Sequence, residues 1–190
     1  MEYAKESYPA VSSNSVQTQK VQYYARQLLH LLEDKESISD QLIENAKKIT
    51  EFELLISLPG VGGISAALFI GEFGDLSRFS NHKKVNAFIS IDIRRYQSGK
   101  YTGQDHINKH GNPKGRNILY LIVRNMIRQQ QAAPNHIVDY YYKLKKQPTP
   151  KKDKVATVAC MNKLLKCIFP WSGTIQSTII RTRSLWTNNI

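Results

Sequence analysis

From Val21 onward the apolar residues recur at alternating steps of three and four. Taking Val21 as position a of a heptad places Val21, Leu28, Lys35, Leu42 and Ile49 at a, and Tyr24, Leu31, Ile38, Asn45 and Phe52 at d. Eight of these ten seam positions are apolar or aromatic, with no Gly or Pro to interrupt them, which is a coiled-coil signature. Lys35 and Asn45 are seam residues of the kind that fix register and partner number at some cost in stability. The pattern predicts one helix over residues 16–56 and self-association through it. The competing reading is a long amphipathic helix packed on its own domain, since periods of 3.5 and 3.6 residues diverge slowly. Residues 1–15 contain Ser, Pro and Asn without any period and are expected to be disordered.

Leu58-Pro59-Gly60-Val61-Gly62-Gly63 stops the helix, and the Ala-rich apolar stretch Ile64–Phe73 starts another. Helix, Pro-Gly-x-Gly, helix is the helix-hairpin-helix pattern. Its glycines, Gly60 and Gly62, would let backbone N–H groups approach a DNA phosphate. A plain helical turn is the bland alternative. A short helix follows, with Ser80 as its expected N-cap and Val85, Phe88 and Ile89 inward. From about Pro113 the chain is helical again, with Ile118, Leu119, Ile122, Met126 and Ile127 at helical spacing and Arg124 and Arg128 on a polar face. Pro134-Asn135 ends that helix and caps the next, which closes with the Tyr140–Lys146 run. Gln147–Pro150 reads as a linker. Lys151–Phe169 reads as a last helix with Val155, Val158, Ala159, Met161, Leu165 and Ile168 inward. The fold class is all-α. A long N-terminal coiled-coil helix precedes a compact helical domain over 57–169, with 170–190 as tail.

Charge sharpens this picture. The net charge of +12 is unevenly placed: residues 1–50 hold six Lys and Arg against seven acids, residues 51–190 hold twenty-one against eight. A basic body behind a near-neutral helix points to a polyanion partner, nucleic acid rather than a membrane surface. Lys143–Lys154 carries six lysines and leans the same way. Tyr140–Tyr142 could stack on nucleotides, but a helix there would bury at least one of them. Cys160 and Cys167 are seven residues apart, about 10.5 Å along a helix and beyond disulfide reach, so both read as reduced core thiols. Apolar runs are too short for a membrane span, and the polar N-terminus is no signal peptide, so a cytoplasmic protein is expected.

The candidate chemistry lies between Arg94 and Arg116, a stretch with four glycines, two imidazoles, many cations and one acid, Asp105. It reads as a loop contacting phosphate through Arg94, Arg95, Lys100, Lys109, Asn112 and Arg116, and Ser98, followed by Gly99 and flanked by cations, is the residue to watch for chemistry, although by itself it reads as a loop serine. A serine hydroxyl needs an activating base or metal. The nearby groups are Asp92, Asp105, His106 and His110, and the sequence alone gives them no geometry.

Leu58-Pro59-Gly60-Val61-Gly62, Glu72-Phe73-Gly74-Asp75-Leu76-Ser77-Arg78-Phe79, Ser98-Gly99 and Gln104-x-x-Ile107-x-Lys109-x-Gly111-Asn112 with Arg116 occur in order. Together they resemble the C-terminal serine domain of bridge-RNA-guided insertion-sequence transposases, which pair that domain with an N-terminal RuvC-like nuclease domain. The likeness runs from about Leu54 to Leu165. It implies that Ser98 is the nucleophile, forming a phosphoserine link to DNA during strand exchange. It implies that the basic residues around Ser98 contact DNA or the transition-state phosphate, and that the long helix joins protomers. It also implies a structured guide RNA as a possible partner, and association with the nucleoid when on DNA. The chain departs from the family in two ways. After Ala87-Phe88-Ile89 the family has Gly-Leu-x-Pro where this chain has Ser90-Ile91-Asp92-Ile93. The metal-binding carboxylates of the RuvC-like domain have no counterpart, so Mg²⁺ is expected only with that domain and no cofactor in this chain. The alternative reading is a non-catalytic, dimeric helix-hairpin-helix protein that binds nucleic acid.

Overall fold

The structure, a computed structural model, describes residues 12, 14–94, 97–98, 101–102 and 106–172, with backbone alone at 93–94, 97–98, 101–102 and 171–172. The expected disordered N-terminus and most of the tail, together with Arg95 and Lys100, lie outside the described residues. The chain divides into two units, residues 1–41 and 42–190.

Helix α1 runs Val16–Ala46. Ser15 caps it, its Oγ accepting the Thr18 N–H at 3.2 Å. Within the first unit the seam residues Val21, Tyr24, Leu28, Leu31 and Ile38 are 59–68% exposed.

The single helix expected over 16–56 is two. The ladder tightens where Ile49 N–H bonds the Ala46 carbonyl at 3.0 Å, and α2 restarts at Glu51–Ile56. Ile49 and Thr50 are β-branched, which makes this a weak point in the helix. The new direction turns Phe52 and Leu55 inward, to 4% and 1% exposure. Burying two such side chains is worth about 1.5–3 kcal/mol each, more than the turn costs in propensity. Phe52 is therefore core, and Leu42 also packs against the core of the second unit.

Pro59–Gly62 leads into α3, Gly63–Phe73. A 3₁₀ turn (Leu76–Arg78) follows, then α4 (His82–Ile89), capped by Asn81 rather than Ser80, with the Asn81 side chain accepting from Lys84 N–H. Helix α5 spans Pro113–Arg128, α6 His136–Lys145 and α7 Asp153–Ile168. Asn135 caps α6, its Oδ1 accepting from Ile137 and Val138 at 3.1 Å each. Helix α7 packs against α4, α5 and α6. It buries Ala156, Thr157, Cys160, Met161, Leu164, Leu165 and Ile168. The expected inward face was thus partly out of phase: Val155 is 53% exposed, while Thr157 points in and satisfies its hydroxyl on the Asp153 carbonyl at 2.9 Å. Packing on three sides selects a wider stripe than one periodic pattern suggests.

Arg124 is taken up within the fold, its Nη1 bonding both Asp153 carboxylate oxygens at 3.0 and 3.2 Å. Tyr141 is buried and donates to the same carboxylate, which pushes its phenol pKa up to about 12. Cys160 and Cys167 are free thiols, and burial raises both, Cys160 to about 12. No helix among the described residues is long and apolar enough to cross a membrane.

Candidate functional site

The stretch expected to be loop contains four two-residue strands. β1 (Ile93–Arg94) pairs antiparallel with β4 (His106–Ile107), Ile93 opposite Ile107 and Arg94 opposite His106. β2 (Gln97–Ser98) pairs antiparallel with β3 (Tyr101–Thr102), Ser98 opposite Tyr101. Both ladders lie within the segment that leaves α4 and enters α5, the arm. Ser98 occupies the last paired position before the chain turns back.

The base of this arm is tied by a compact set of polar contacts. Ser90, at the C-cap of α4, is left-handed (φ 53°, ψ 51°) and almost fully buried. Its hydroxyl donates to the Ala87 carbonyl at 3.3 Å and accepts the Gly111 N–H at 2.5 Å. Left-handed backbone favours glycine, so this is a physical reason for the glycine that the resembling family has here. The serine compensates by bonding across the two legs of the arm. Asn112 N–H donates to the Phe88 carbonyl at 2.8 Å, and Asn108 N–H donates to the Asp92 carbonyl at 3.0 Å. Gly111 is required by the same approach: a Cβ there would lie 2.2 Å from the Phe88 carbonyl oxygen and 2.5 Å from Ser90 Oγ.

Asn112 also caps α5, its Oδ1 accepting from Lys114 and Gly115 at 2.9 and 3.1 Å, while its Nδ2 donates to Glu72 Oε1 on α3. Arg116 is half-buried and donates from Nη1 to the Ile89 carbonyl at 2.9 Å, satisfying an acceptor left open at the end of α4. The sequence set Asn112 and Arg116 on DNA. The structure gives each an internal partner, Glu72 for Asn112 and the Ile89 carbonyl for Arg116. The sequence marked Ser90 as a departure from the resembling family and Glu72 as part of a shared motif, but not the contacts that either makes.

Gly60 has a similar account. At φ 81° it lies against α5, and a Cβ would sit 2.8 Å from Met126 N, so packing explains this glycine. Gly62, the N-cap of α3, has open space where a Cβ would point and is exposed. Lys109, His106 and His110 are exposed beside the arm. Asp92 Oδ1 is buried at the arm's base and has no hydrogen-bond partner among the described residues. Asp105, like Arg95 and Lys100, lies outside them. No group of three or more His, Cys, Asp or Glu among the described residues could hold a metal ion. These residues do not fit a Mg²⁺ centre.

The Ser90 tie makes a stability prediction. Ser90→Ala removes both hydroxyl bonds and keeps a Cβ in left-handed backbone, so it should destabilise the fold by about 1–3 kcal/mol. Ser90→Gly loses the same bonds but relieves the backbone, so its loss should be smaller by about 1 kcal/mol. Urea unfolding of the two variants reads this difference, and equal losses would show that the left-handed conformation carries no cost.

Residues 52–137, which include the arm and both helices that tie it, match a family model described as the transposase IS116/IS110/IS902 family. The transposase for insertion sequence element IS1328 of Yersinia enterocolitica is 23% identical over 150 residues, covering 79% of this chain and 43% of that protein. The transposase for insertion sequence element IS1111A of Coxiella burnetii (strain RSA 493 / Nine Mile phase I) is 31% identical over 101 residues, 52% of this chain and 28% of that protein. The chain spans less than half the length of either curated relative. Over the segment that builds and anchors the arm this chain is similar to that family model, and over part of its length to these two transposases.

Proposed function

We propose that this chain is the serine-bearing, DNA-holding portion of a DNA transposase or recombinase. The observation that carries the reading is the arm itself, with Ser98 at its last paired backbone position and both its legs tied by Ser90, Gly111 and Asn112. A nucleophile used in strand exchange has to meet a phosphodiester at a fixed place, and a two-legged arm restrains it better than an open loop. Ser98 Oγ attacks phosphorus, its proton passes to a base, and one deoxyribose oxygen leaves and takes up a proton. The DNA strand is then held through an Oγ–P bond. Attack by the hydroxyl of a second strand reverses the step and completes exchange.

Arg94, Arg95, Lys100 and Lys109 are the proposed phosphate contacts, with the exposed Gly62 at the start of α3 as the open point of the helix-hairpin-helix. Asn112 and Arg116 serve as positioning residues for the arm. The uncovered α1 seam joins copies of the chain as a coiled coil. A structured guide RNA as a further partner belongs to the same reading. Activation of Ser98 falls to a metal-bearing domain outside these residues.

The exposed Gly62 at the start of α3 and the exposed α1 seam also suit a second reading, a non-catalytic, dimeric helix-hairpin-helix protein that binds nucleic acid. The first reading requires the arm on DNA. Replacing Arg94, Arg95 and Lys100 together by Gln should lower the slope of log affinity against log salt by about 2–3, measured on duplex DNA. An unchanged slope would remove the arm from the DNA contact. Covalent adduct formation separates the two readings.

A further inference from the structure

We propose a second DNA contact, remote in sequence from the arm: the lysine ridge at the α6–α7 junction grips the sugar-phosphate backbone of duplex DNA. It rests on the reading of this chain as a DNA-handling protein. Lys143 and Lys145 lie in the last turn of α6, Lys146 is its C-cap, and Lys151, Lys152 and Lys154 surround the first residue of α7. Their connection is not loose. Lys151 N–H donates to the Leu144 carbonyl at 3.1 Å, and Lys145 Nζ reaches the Lys151 carbonyl at 3.3 Å. The linker expected from its two prolines is thus folded back on α6, holding two groups of cations on one short turn.

The two groups differ physically. Cations at the end of α6 complement the helix dipole and are explained by stability. Lys151, Lys152 and Lys154 stand at the start of α7, where the dipole disfavours positive charge. Asp153, the single carboxylate of residues 143–154, is engaged by Arg124 and Tyr141. Lys143, Lys146, Lys151, Lys152 and Lys154 have no ion-pair partner among the described residues, and all five are exposed. Three exposed cations that oppose the helix they begin are maintained at the expense of the fold, and a polyanion supplies the missing counter-charge.

The neighbouring aromatics favour a duplex over a single strand. Stacking platforms for unpaired bases need free ring faces. Here Lys163 Nζ covers Tyr140 at 4.7 Å, Tyr141 is buried, and Tyr142 meets Tyr141 edge-on at 5.2 Å. What remains is charge without stacking, which suits backbone contact without sequence reading.

The test compares two triple variants of the full chain on a duplex several helical turns long. Replacing Lys151, Lys152 and Lys154 by Gln should lower the salt slope by about 2–3 and weaken binding roughly tenfold or more at moderate salt. The same variant should melt no lower than the parent, because it removes charge that opposes the α7 dipole. Replacing Lys20, Arg26 and Lys48, on and just after α1 and off its seam, by Gln removes equal charge and should leave the slope near its parent value. Equal slopes for the parent and the ridge variant overturn the proposal, as does an equal loss in both triple variants, which would show net charge alone at work. Loss confined to single-stranded RNA, with duplex binding intact, overturns it in favour of an RNA surface. An effect of the ridge variant beside an inert Arg94–Arg95–Lys100 variant would sink the arm and leave the ridge standing; the reverse would sink the ridge alone.

Discussion

Ser98→Ala should abolish covalent protein–DNA adducts and strand exchange while duplex binding stays within about twofold of the parent, because the hydroxyl is used only in the reacting state. The setting is the chain supplied with a carboxylate-bearing nuclease domain of the resembling kind, since a serine hydroxyl alone is too weak a nucleophile. The loss should reach the detection floor of a denaturing gel. Ser98→Cys is the informative companion. It keeps a nucleophile of similar reach, and a slow residual adduct from it would argue that position, rather than serine chemistry, limits the reaction. Adducts at parental level from Ser98→Ala would remove Ser98 from the mechanism while leaving the fold and the DNA contacts unaffected.

Gly111→Ala should be among the most damaging small substitutions in the chain. The added Cβ meets the Phe88 carbonyl oxygen at 2.2 Å and Ser90 Oγ at 2.5 Å, and the first of these is backbone that no side-chain rotation can move. Relief requires parting the Asn112–Phe88 and Gly111–Ser90 hydrogen bonds, which are the ties between the end of α4 and the start of α5. The sum of overpacking and two opened buried bonds is on the order of 3–5 kcal/mol. At about 2–4 °C per kcal/mol for a chain of this length, that lowers the melting temperature by about 6–20 °C. Calorimetry or circular dichroism reads this directly. A variant melting with the parent would mean that the two legs of the arm are not held as described. Gly62→Ala is the control, because its Cβ enters open space and should cost little.

These two glycines show how far the sequence could be read. A glycine reports that something approaches the backbone closely, and it does not report what. At Gly60 and Gly111 the visitor is the protein's own backbone, Met126 in one case and Phe88 in the other. From the sequence Gly60 looked like a position for a phosphate, and Gly111 was one of four glycines in a cationic stretch. Local signals fared better where the cause was local. Asn135 after Pro134 caps α6 because an Asx side chain reaches N–H groups two and three residues ahead, which needs no tertiary information. The break after Ala46 had no such signal: no Gly or Pro marks it, and only the burial of Phe52 and Leu55 explains it. The arm was hidden because two-residue strands are too short to show a period of two. Ser98 was singled out by its glycine and its cations and then by family likeness. The ties that restrain its arm, Ser90 and Glu72 with Asn112, connect residues 21 to 40 positions apart and were visible only once the chain was folded.

The most direct test of the account is to identify the residue that becomes linked to DNA. A duplex carrying a strand interruption that traps the intermediate would be incubated with the chain and its metal-bearing domain, digested with protease and nuclease, and sequenced by mass spectrometry. The account predicts one modified peptide, spanning Arg94 to Lys109, with the phosphodeoxynucleotide on Ser98. A link to another residue, or a reaction that proceeds to strand exchange with no link at all, would contradict it.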